Sequence, residues 1–229
     1  MNDKERLAKH AAKLVEDGMI VGLGTGSTAD CFIERLARRR IKEGLRVTCV
    51  ASSVVSLLKA QRLGLPMIAI EHLTQLDLYV DGADEVTREY TLLKGQGADL
   101  VKEKLLARAS DQFIVLVDKS KMVKHIGDKF LIPVEVMPFA WQLVKQSLKQ
   151  FGGHGALRQN RGGNGLAVSS YGSLVLDMAF DKTLSCEEMD AILNATPGVV
   201  EHGIFSGLAS RIFLADKEGV LELERPDET

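Results

Sequence analysis

No apolar run in the 229-residue chain is long enough to cross a bilayer, so a membrane-spanning protein is not expected. The opening stretch MNDKERLAKHAAKLVEDG lacks the apolar core and cleavage site of a signal peptide, which makes the cytoplasm the expected compartment. Cysteine is scarce. Cys31, Cys49 and Cys186 are odd in number and too scattered for a metal knuckle, so they suit reduced thiols and exclude a disulfide scaffold. The histidines, at 10, 72, 125, 154 and 202, show no ligand spacing, and no metal site is expected. A net charge of −2 supplies no general basic field, which speaks against nucleic acid as a partner. Arg38-Arg39-Arg40 is a local exception. It follows the apolar positions Ala29, Phe32, Ile33 and Leu36 and closes a helix, where cations suit the helix dipole. What remains is 45% apolar and 26% charged, the composition of an ordinary globular protein with length for one large domain or, as preferred here, two modest ones.

The first half alternates strands and helices. A helix over 4–15, with Leu7, Ala8, Ala11 and Leu14 inward, ends at Asp17-Gly18. The strand 19–23 is apolar on both faces, as a central parallel strand would be, and empties into Gly24-Thr25-Gly26-Ser27-Thr28 before the next helix. Glycine backbone, two hydroxyls and the positive end of a helix converge there on one anion. Neither common nucleotide motif fits. A P-loop needs Lys and then Ser or Thr after its last glycine, but Ser27 and Thr28 follow Gly26. A dinucleotide fingerprint counted from Gly22 has Ser27 at its sixth place, and the strand 46–50 ends in Ala51-Ser52-Ser53 where a ribose-binding acid would stand. A small phosphorylated ligand survives the test. Next come a helix carrying Val54, Val55 and Leu58 towards Leu63, stopped by Gly64 and Pro66, a strand over 67–70, a strand over 76–80 and a strand over 113–117 that delivers Asp118, Lys119, Ser120 and Lys121. The pattern predicts a Rossmann-like, mostly parallel sheet with helices on both faces and every strand-to-helix turn on one edge.

On that edge falls the densest chemistry, DGADEVTREYTLLKGQGADLVKE, residues 81–103. Asp81 and Asp84 emerge from strand 76–80, and Lys94-Gly95-Gln96-Gly97 leads into a helix over 98–109. Its main stripe is Ala98, Val101, Leu105 and Ala109, with Leu100, Leu106 and Ala107 around the rest. Glu103 has Leu100 and Ala107 as helical neighbours. It is therefore either a partly desolvated carboxylate with a raised pKa, useful as a base, or a solvated glutamate between Lys102 and Lys104.

The rhythm changes near Gly127. Strand 132–137, helix 141–151, strands 156–159 and 174–180, helix 185–194 with a Ser185/Glu188 capping box, and strand 199–205 predict a small ferredoxin-like α+β domain over 128–205. Residues 160–165 read as a turn, and 166–169 as a strand paired across 170–173. A hairpin of 209–214 and 220–223 around Asp216-Lys217-Glu218-Gly219 returns to the first domain, so that 1–127 is completed by 206–229.

With GLGTGSTA, YVDGADE, the Lys94-to-Glu103 segment, VDKSKMVKHIG, PVEVMP and PGVVEHGIF in this order, nearly the whole chain resembles the A-type ribose-5-phosphate isomerases. The resemblance implies that Glu103 moves a proton between C1 and C2 of the sugar and that Asp81, Asp84 and Lys94 complete the catalytic pocket. It makes Thr25, Gly26, Ser27, Thr28 and Lys121 binders of the substrate, chiefly through its phosphate, with Gly82, Ala83, Gly95, Gln96 and Gly97 lining the pocket. Neither metal nor organic cofactor is implied, and the expected protein is a homodimer or homotetramer of the pentose phosphate pathway. Two departures stand out: Gln96 where the family usually has glycine, and Ser169-Ser170-Tyr171-Gly172-Ser173 where it often has Thr-Asp-Asn-Gly-Asn. A sugar-phosphate-sensing domain is the rival reading. No helix-turn-helix pattern precedes the first strand, however, and a sensor has no need of both Lys94 and Glu103.

Overall fold

The computed structural model describes residues 2–216 and 219–223. The chain opens with α1 (Asp3–Ala12), started by a reciprocal Asn2/Glu5 capping box. There follow β1 (Ile20–Leu23), α2 (Ser27–Glu43), β2 (Thr48–Ala51), α3 (Val54–Arg62), β3 (Leu76–Gly82), β4 (Glu85–Val86), β5 (Leu92–Leu93), α4 (Leu100–Ala109) and β6 (Ser110–Asp118). The second half holds β7 (Ile132–Val136), α5 (Trp141–Lys149), β8 (His154–Leu157), β9 (Leu174–Ala179), α6 (Cys186–Ala195), β10 (Val199–His202), β11 (Ile204–Phe205), β12 (Arg211–Ala215) and β13 (Val220–Glu222).

Six strands form the main sheet in the order β13-β12-β6-β3-β1-β2, all neighbours parallel except β12 and β13. Its middle strands are apolar on both faces because both are covered. Ile114 and Leu116 of β6 face Leu7, Ala11, Phe32 and Leu36 of α1 and α2, while Phe113, Val115 and Val117 face Leu100, Leu106 and Ala107 of α4. A second, antiparallel sheet runs β10-β7-β9-β8, the strand order of a ferredoxin-like βαββαβ unit, with α5 and α6 packed through Val144, Leu148, Met189 and Leu193. The predicted Ser185/Glu188 capping box is present on α6. The α/β sheet with helices on both faces and its ferredoxin-like companion are thus as the sequence predicts.

Several local expectations are corrected. Residues 67–70 form no strand. Met67 makes one bridge to Cys49 at the open edge of β2, and the chain then turns through a 3-10 segment at Ile70–His72. On α3 Val54, Val55 and Leu58 are 55%, 68% and 46% exposed, whereas Ser56 and Ala60 are buried. The helix is turned this way because Ser56 Oγ donates to the Gly24 carbonyl at 2.6 Å, which brings its polar side inward. The expected strand 199–205 is two: β10 stays in the antiparallel sheet, and β11 crosses to pair with β5 in a three-stranded sheet, β11-β5-β4. The break is at Gly203, where a Cβ would lie 2.4 Å from the Lys94 carbonyl oxygen, so a side chain there would push the two segments apart. Residues 166–169 contribute only the single bridges Gln159–Leu166 and Val168–Leu174. The hairpin of β12 and β13 forms beside β6, and Lys217 and Glu218 of its expected turn lie outside the described residues.

Candidate active site

The site grows from the carboxyl ends of β1, β3 and β6, which lie side by side in the sheet. Asp81, at the end of β3, is buried and fully engaged. Its Oδ1 accepts the N–H groups of Thr25 at 3.0 Å and Gly82 at 2.8 Å, and its Oδ2 accepts the Tyr79 hydroxyl at 2.5 Å and Lys94 Nζ at 2.8 Å. The turn after β1 is thereby fastened to β3. Gly24 is required for this approach, since a Cβ on it would sit 2.1 Å from Asp81 Oδ1.

Lys94 follows β5 and turns inward, where its ammonium meets Asp81, the Gly82 carbonyl at 2.8 Å and Glu103 Oε2 at 3.4 Å. Burial works against its charge, but Asp81 and Glu103 outweigh that and raise its pKa, so the ammonium stays protonated. Glu103 lies in the first turn of α4 with only 5% of its surface exposed. Its Oε2 is at ion-pair distance from Lys94 yet receives no directed hydrogen bond. Burial pushes its pKa up to about 7; Lys94 opposes the rise, and the charges of Asp81 and Asp84 add to it.

The buried face of α4 differs from the expected one. Leu100, Glu103, Lys104 and Ala107 face inward at helical spacing, and Leu105 is 53% exposed. Ala98 is not in the helix at all but stands before it with φ +67°. Two charged residues can share the inner face because each finds a partner from elsewhere: Glu103 meets Lys94, and Lys104 meets Glu201 of β10 at 2.5 Å above the Phe205 ring. The solvated alternative for Glu103 is excluded.

Asp84, beyond the end of β3, is half-buried and accepts the Gln96 N–H at 3.3 Å. Burial raises its pKa, against the pull of Lys94, the Gln96 N–H and Lys121 and with the push of Asp81. Gly82 lends its carbonyl to Lys94, and Ala83 is half-buried beside it. In the Gly-rich segment Gly95 is buried at φ +101°, while Gln96 and Gly97 are exposed.

The expected phosphate turn divides in its roles. Thr25 spends its N–H on Asp81 and its hydroxyl on Ser52 at 2.8 Å and Ser53 at 2.7 Å, inside the protein. Gly26, at φ +103°, is the N-cap of α2 and offers no side-chain cap, so the helix N–H groups at Ser27 and Thr28 open outward. Sequence reasoning missed Lys4, which reaches from α1 to give Ser27 Oγ a hydrogen bond of 2.8 Å; a lysine in a charged first helix carries no signal. Lys121 ends the 3-10 segment Lys119–Lys121 directly after β6, its Nζ 5.5 Å from the Phe130 ring centre. Glu85 fixes that loop. Its carboxylate is fully buried and accepts the N–H groups of Gly127, Lys129 and Phe130 at 2.6, 2.6 and 2.8 Å.

The expected residues are therefore gathered on one edge, with Thr25 among them but its polar groups turned inward. A surface hollow of about 330 Å³ beside Asp17, Arg39 and Arg46 lies at the opposite ends of the strands and contains none of them. A buried carboxylate held near neutrality beside a buried ammonium, with an open helix N-terminus and lysines on the same edge, defines an acid–base enzyme for a small phosphorylated molecule.

The sequence profile of ribose 5-phosphate isomerase A, also called phosphoriboisomerase A, matches residues 48–219, and the chain belongs to that family. Ribose-5-phosphate isomerase A of Thermomicrobium roseum is 41% identical over 97% of this chain and 93% of its own length. That of Thermococcus kodakarensis is 39% identical over 97% of each. Among solved structures, ribose 5-phosphate isomerase A of Methanocaldococcus jannaschii superposes with a TM-score of 0.91 at 37% identity, covering 96% of this chain and 97% of that one. A D-ribose-5-phosphate isomerase in complex with phospho-erythronic acid gives 0.93 at 35% identity, covering 98% of this chain and 100% of that one.

Proposed function

We propose that Glu103 is the base with which this isomerase moves a proton between C1 and C2 in interconverting D-ribose 5-phosphate and D-ribulose 5-phosphate. The observation that carries the reading is the buried Glu103 carboxylate, raised to about 7 and 3.4 Å from the Lys94 ammonium. In the ionised form Glu103 takes the proton from C2 of the open-chain aldose and returns it to C1. Negative charge gathers on the sugar oxygens of the ene-diolate between the two transfers, and Lys94 is the fixed positive group that faces it. Asp81, with four hydrogen bonds already made, holds Lys94 in place, whereas Asp84 keeps the freedom to pass hydroxyl protons during ring opening and transfer. Ser27, Thr28, Lys4 and Lys121 receive the phosphate. Phospho-erythronic acid, the ligand of the structural relative, carries a phosphate and a carboxylate, the two anionic ends such a site would bind.

The test is a coupled assay of ribose 5-phosphate conversion as a function of pH. Because a base must be deprotonated, kcat/KM should rise through an acid limb near pH 7 and level above it. A limb at the ordinary glutamate value would mean another base. At the other end of the substrate, Lys121→Ala should lower kcat/KM about 10- to 100-fold, the worth of roughly 1.5–3 kcal/mol for a charge-assisted bond, with most of the change in KM. Unchanged kinetics would return Lys121 to solvent.

The same reading places the protein in the cytoplasm as a homodimer or homotetramer, with residues 128–205 as a separate unit buttressing the catalytic one. Among the described residues no helix is long and apolar enough to cross a membrane. Phe139 and Leu143 are 83% and 73% exposed near the start of α5, apolar surface of the sort that a subunit contact covers. Sedimentation equilibrium reads the mass directly, and a monomer at micromolar concentration would contradict the oligomer.

A further inference from the structure

Arg158 follows β8 in the antiparallel sheet, far in sequence from the reacting edge, and its side chain is 13% exposed. Its guanidinium is locked in a fork with Asp177, Nε to Oδ2 at 2.9 Å and Nη2 to Oδ1 at 2.5 Å. The remaining nitrogen, Nη1, points away from the fork and donates to the Gly95 carbonyl at 2.8 Å and the Gln96 carbonyl at 3.3 Å. One rigid cation thus holds two successive carbonyls of the Gly-rich segment.

The peptides there are trans, so each N–H points opposite to its carbonyl. The Gly95–Gln96 peptide shows the result: its carbonyl is on Arg158, and its N–H is on Asp84 Oδ2 at 3.3 Å. The Gln96–Gly97 peptide has its carbonyl on the same nitrogen, which turns the Gly97 N–H to the same far side. Two adjacent N–H groups on one side of a glycine turn make a small anion-binding concavity. The Ala98 N–H also reaches the Gly95 carbonyl, at 3.1 Å, but it belongs to the segment itself and cannot anchor it to the rest of the molecule.

We propose that Arg158 is a positioning residue for the isomerisation: it aims the Gln96 and Gly97 N–H groups at Asp84 and at the oxygens of the reacting sugar. This rests on the reading that Asp84, Lys94 and Glu103 face the substrate. A charged donor on the carbonyl side also polarises each peptide and strengthens its N–H as a donor. The oxygens gain charge only as the ene-diolate forms, so the arrangement acts on the transition state more than on the bound sugar. It also gives Gln96 a role that its side chain does not need: only the backbone of that residue is used.

The test is steady-state kinetics and thermal unfolding of Arg158→Ala, with Glu103→Gln and the parent run beside it. Losing the clamp should lower kcat about 10- to 100-fold, the worth of a hydrogen bond to a charged group. KM should move by less than about threefold, because the phosphate contacts are untouched. Millimolar guanidinium ion should restore part of the lost kcat in Arg158→Ala and none in Glu103→Gln. Should Arg158→Ala not fold, Asp177→Asn decides, since it frees the fork, keeps the cation and should lower kcat in the same direction by a smaller factor. An Arg158→Ala enzyme with parental kcat, or one whose loss is all in KM or is not relieved by guanidinium, overturns the proposal, as does an Asp177→Asn enzyme with parental kcat where it is the deciding variant. If Glu103→Gln is inactive while Arg158→Ala is parental, only the clamp falls; if Glu103→Gln keeps its turnover, the assignment of the reacting edge falls first.

Discussion

Glu103→Gln should lose turnover by a factor of at least about 100, and up to about 10⁴, while binding substrate analogues nearly as the parent does. Glutamine keeps the volume and the helix but cannot accept the proton, and exchange of solvent deuterium into C1 or C2 of the sugar should vanish with turnover. The same substitution should make the protein more stable in alkaline solution. In the folded state the Glu103 pKa is about 7, above the 4.5 of the unfolded chain, so the folded protein holds that proton more tightly. The contribution is complete below about pH 4.5 and is lost as pH rises through 7, a difference of roughly 3 kcal/mol at 1.36 kcal/mol per unit. Glutamine stays neutral throughout. Glu103→Gln should therefore match the parent near pH 4.5 in denaturant unfolding and exceed it at pH 8. A variant within tenfold of parental turnover would remove Glu103 from the mechanism, and equal stabilities at pH 8 would show that the carboxylate is not desolvated.

Lys94→Ala should be the more damaging change, with turnover down by about 10³ or more. Removing one preorganised donor to a developing oxyanion typically costs about 10² to 10³, and here a second effect adds to it. Lys94 opposes the rise of the Glu103 pKa, and without the ammonium the charges of Asp81 and Asp84 act on Glu103 unopposed. The base then carries its proton at neutral pH. Stability should move opposite to that of Glu103→Gln, because Asp81 and Glu103 are left buried without their cation, a loss of about 3–5 kcal/mol at pH 8. Unfolding at pH 5 should show a smaller loss, since Glu103 is then neutral. Turnover within tenfold of the parent would sink the electrostatic role of Lys94.

How much of this was legible in the sequence follows from how local each cause is. The turn after β1 and the endings of β3 and β6 could be read because glycines and hydroxyls between apolar strands act on their own neighbourhood. The desolvation of Glu103 was half legible. Leu100 and Ala107 announced it, but the inner face of α4 was misread because Lys104 is buried by a partner in β10, Glu201, that no helical pattern reveals. The burial of Ser56 on α3 has the same origin, since that side chain is bonded to Gly24. Lys4 and Arg158 were invisible for the same reason in stronger form. Their partners lie 23 and 62 to 63 residues away, and a lone basic residue in a surface-like context gives no sign of what it will meet.

Every residue proposed to touch the substrate by its side chain precedes residue 122, yet the outer neighbour of β6 is β12, and Ser210, just before β12, accepts the Phe113 N–H across 97 residues. A ribosome adds about 5–20 residues per second, so β6 waits on the order of 5 to 20 seconds for its neighbour. During that time the nascent chain carries the whole reacting edge on a sheet whose last strand, β6, is paired with β3 on one side and open on the other, an edge available to other chains. The antiparallel sheet is synthesised in this interval. Arg158 and Glu201, which grip the Gly-rich segment and α4, therefore emerge before the sheet beneath them is closed.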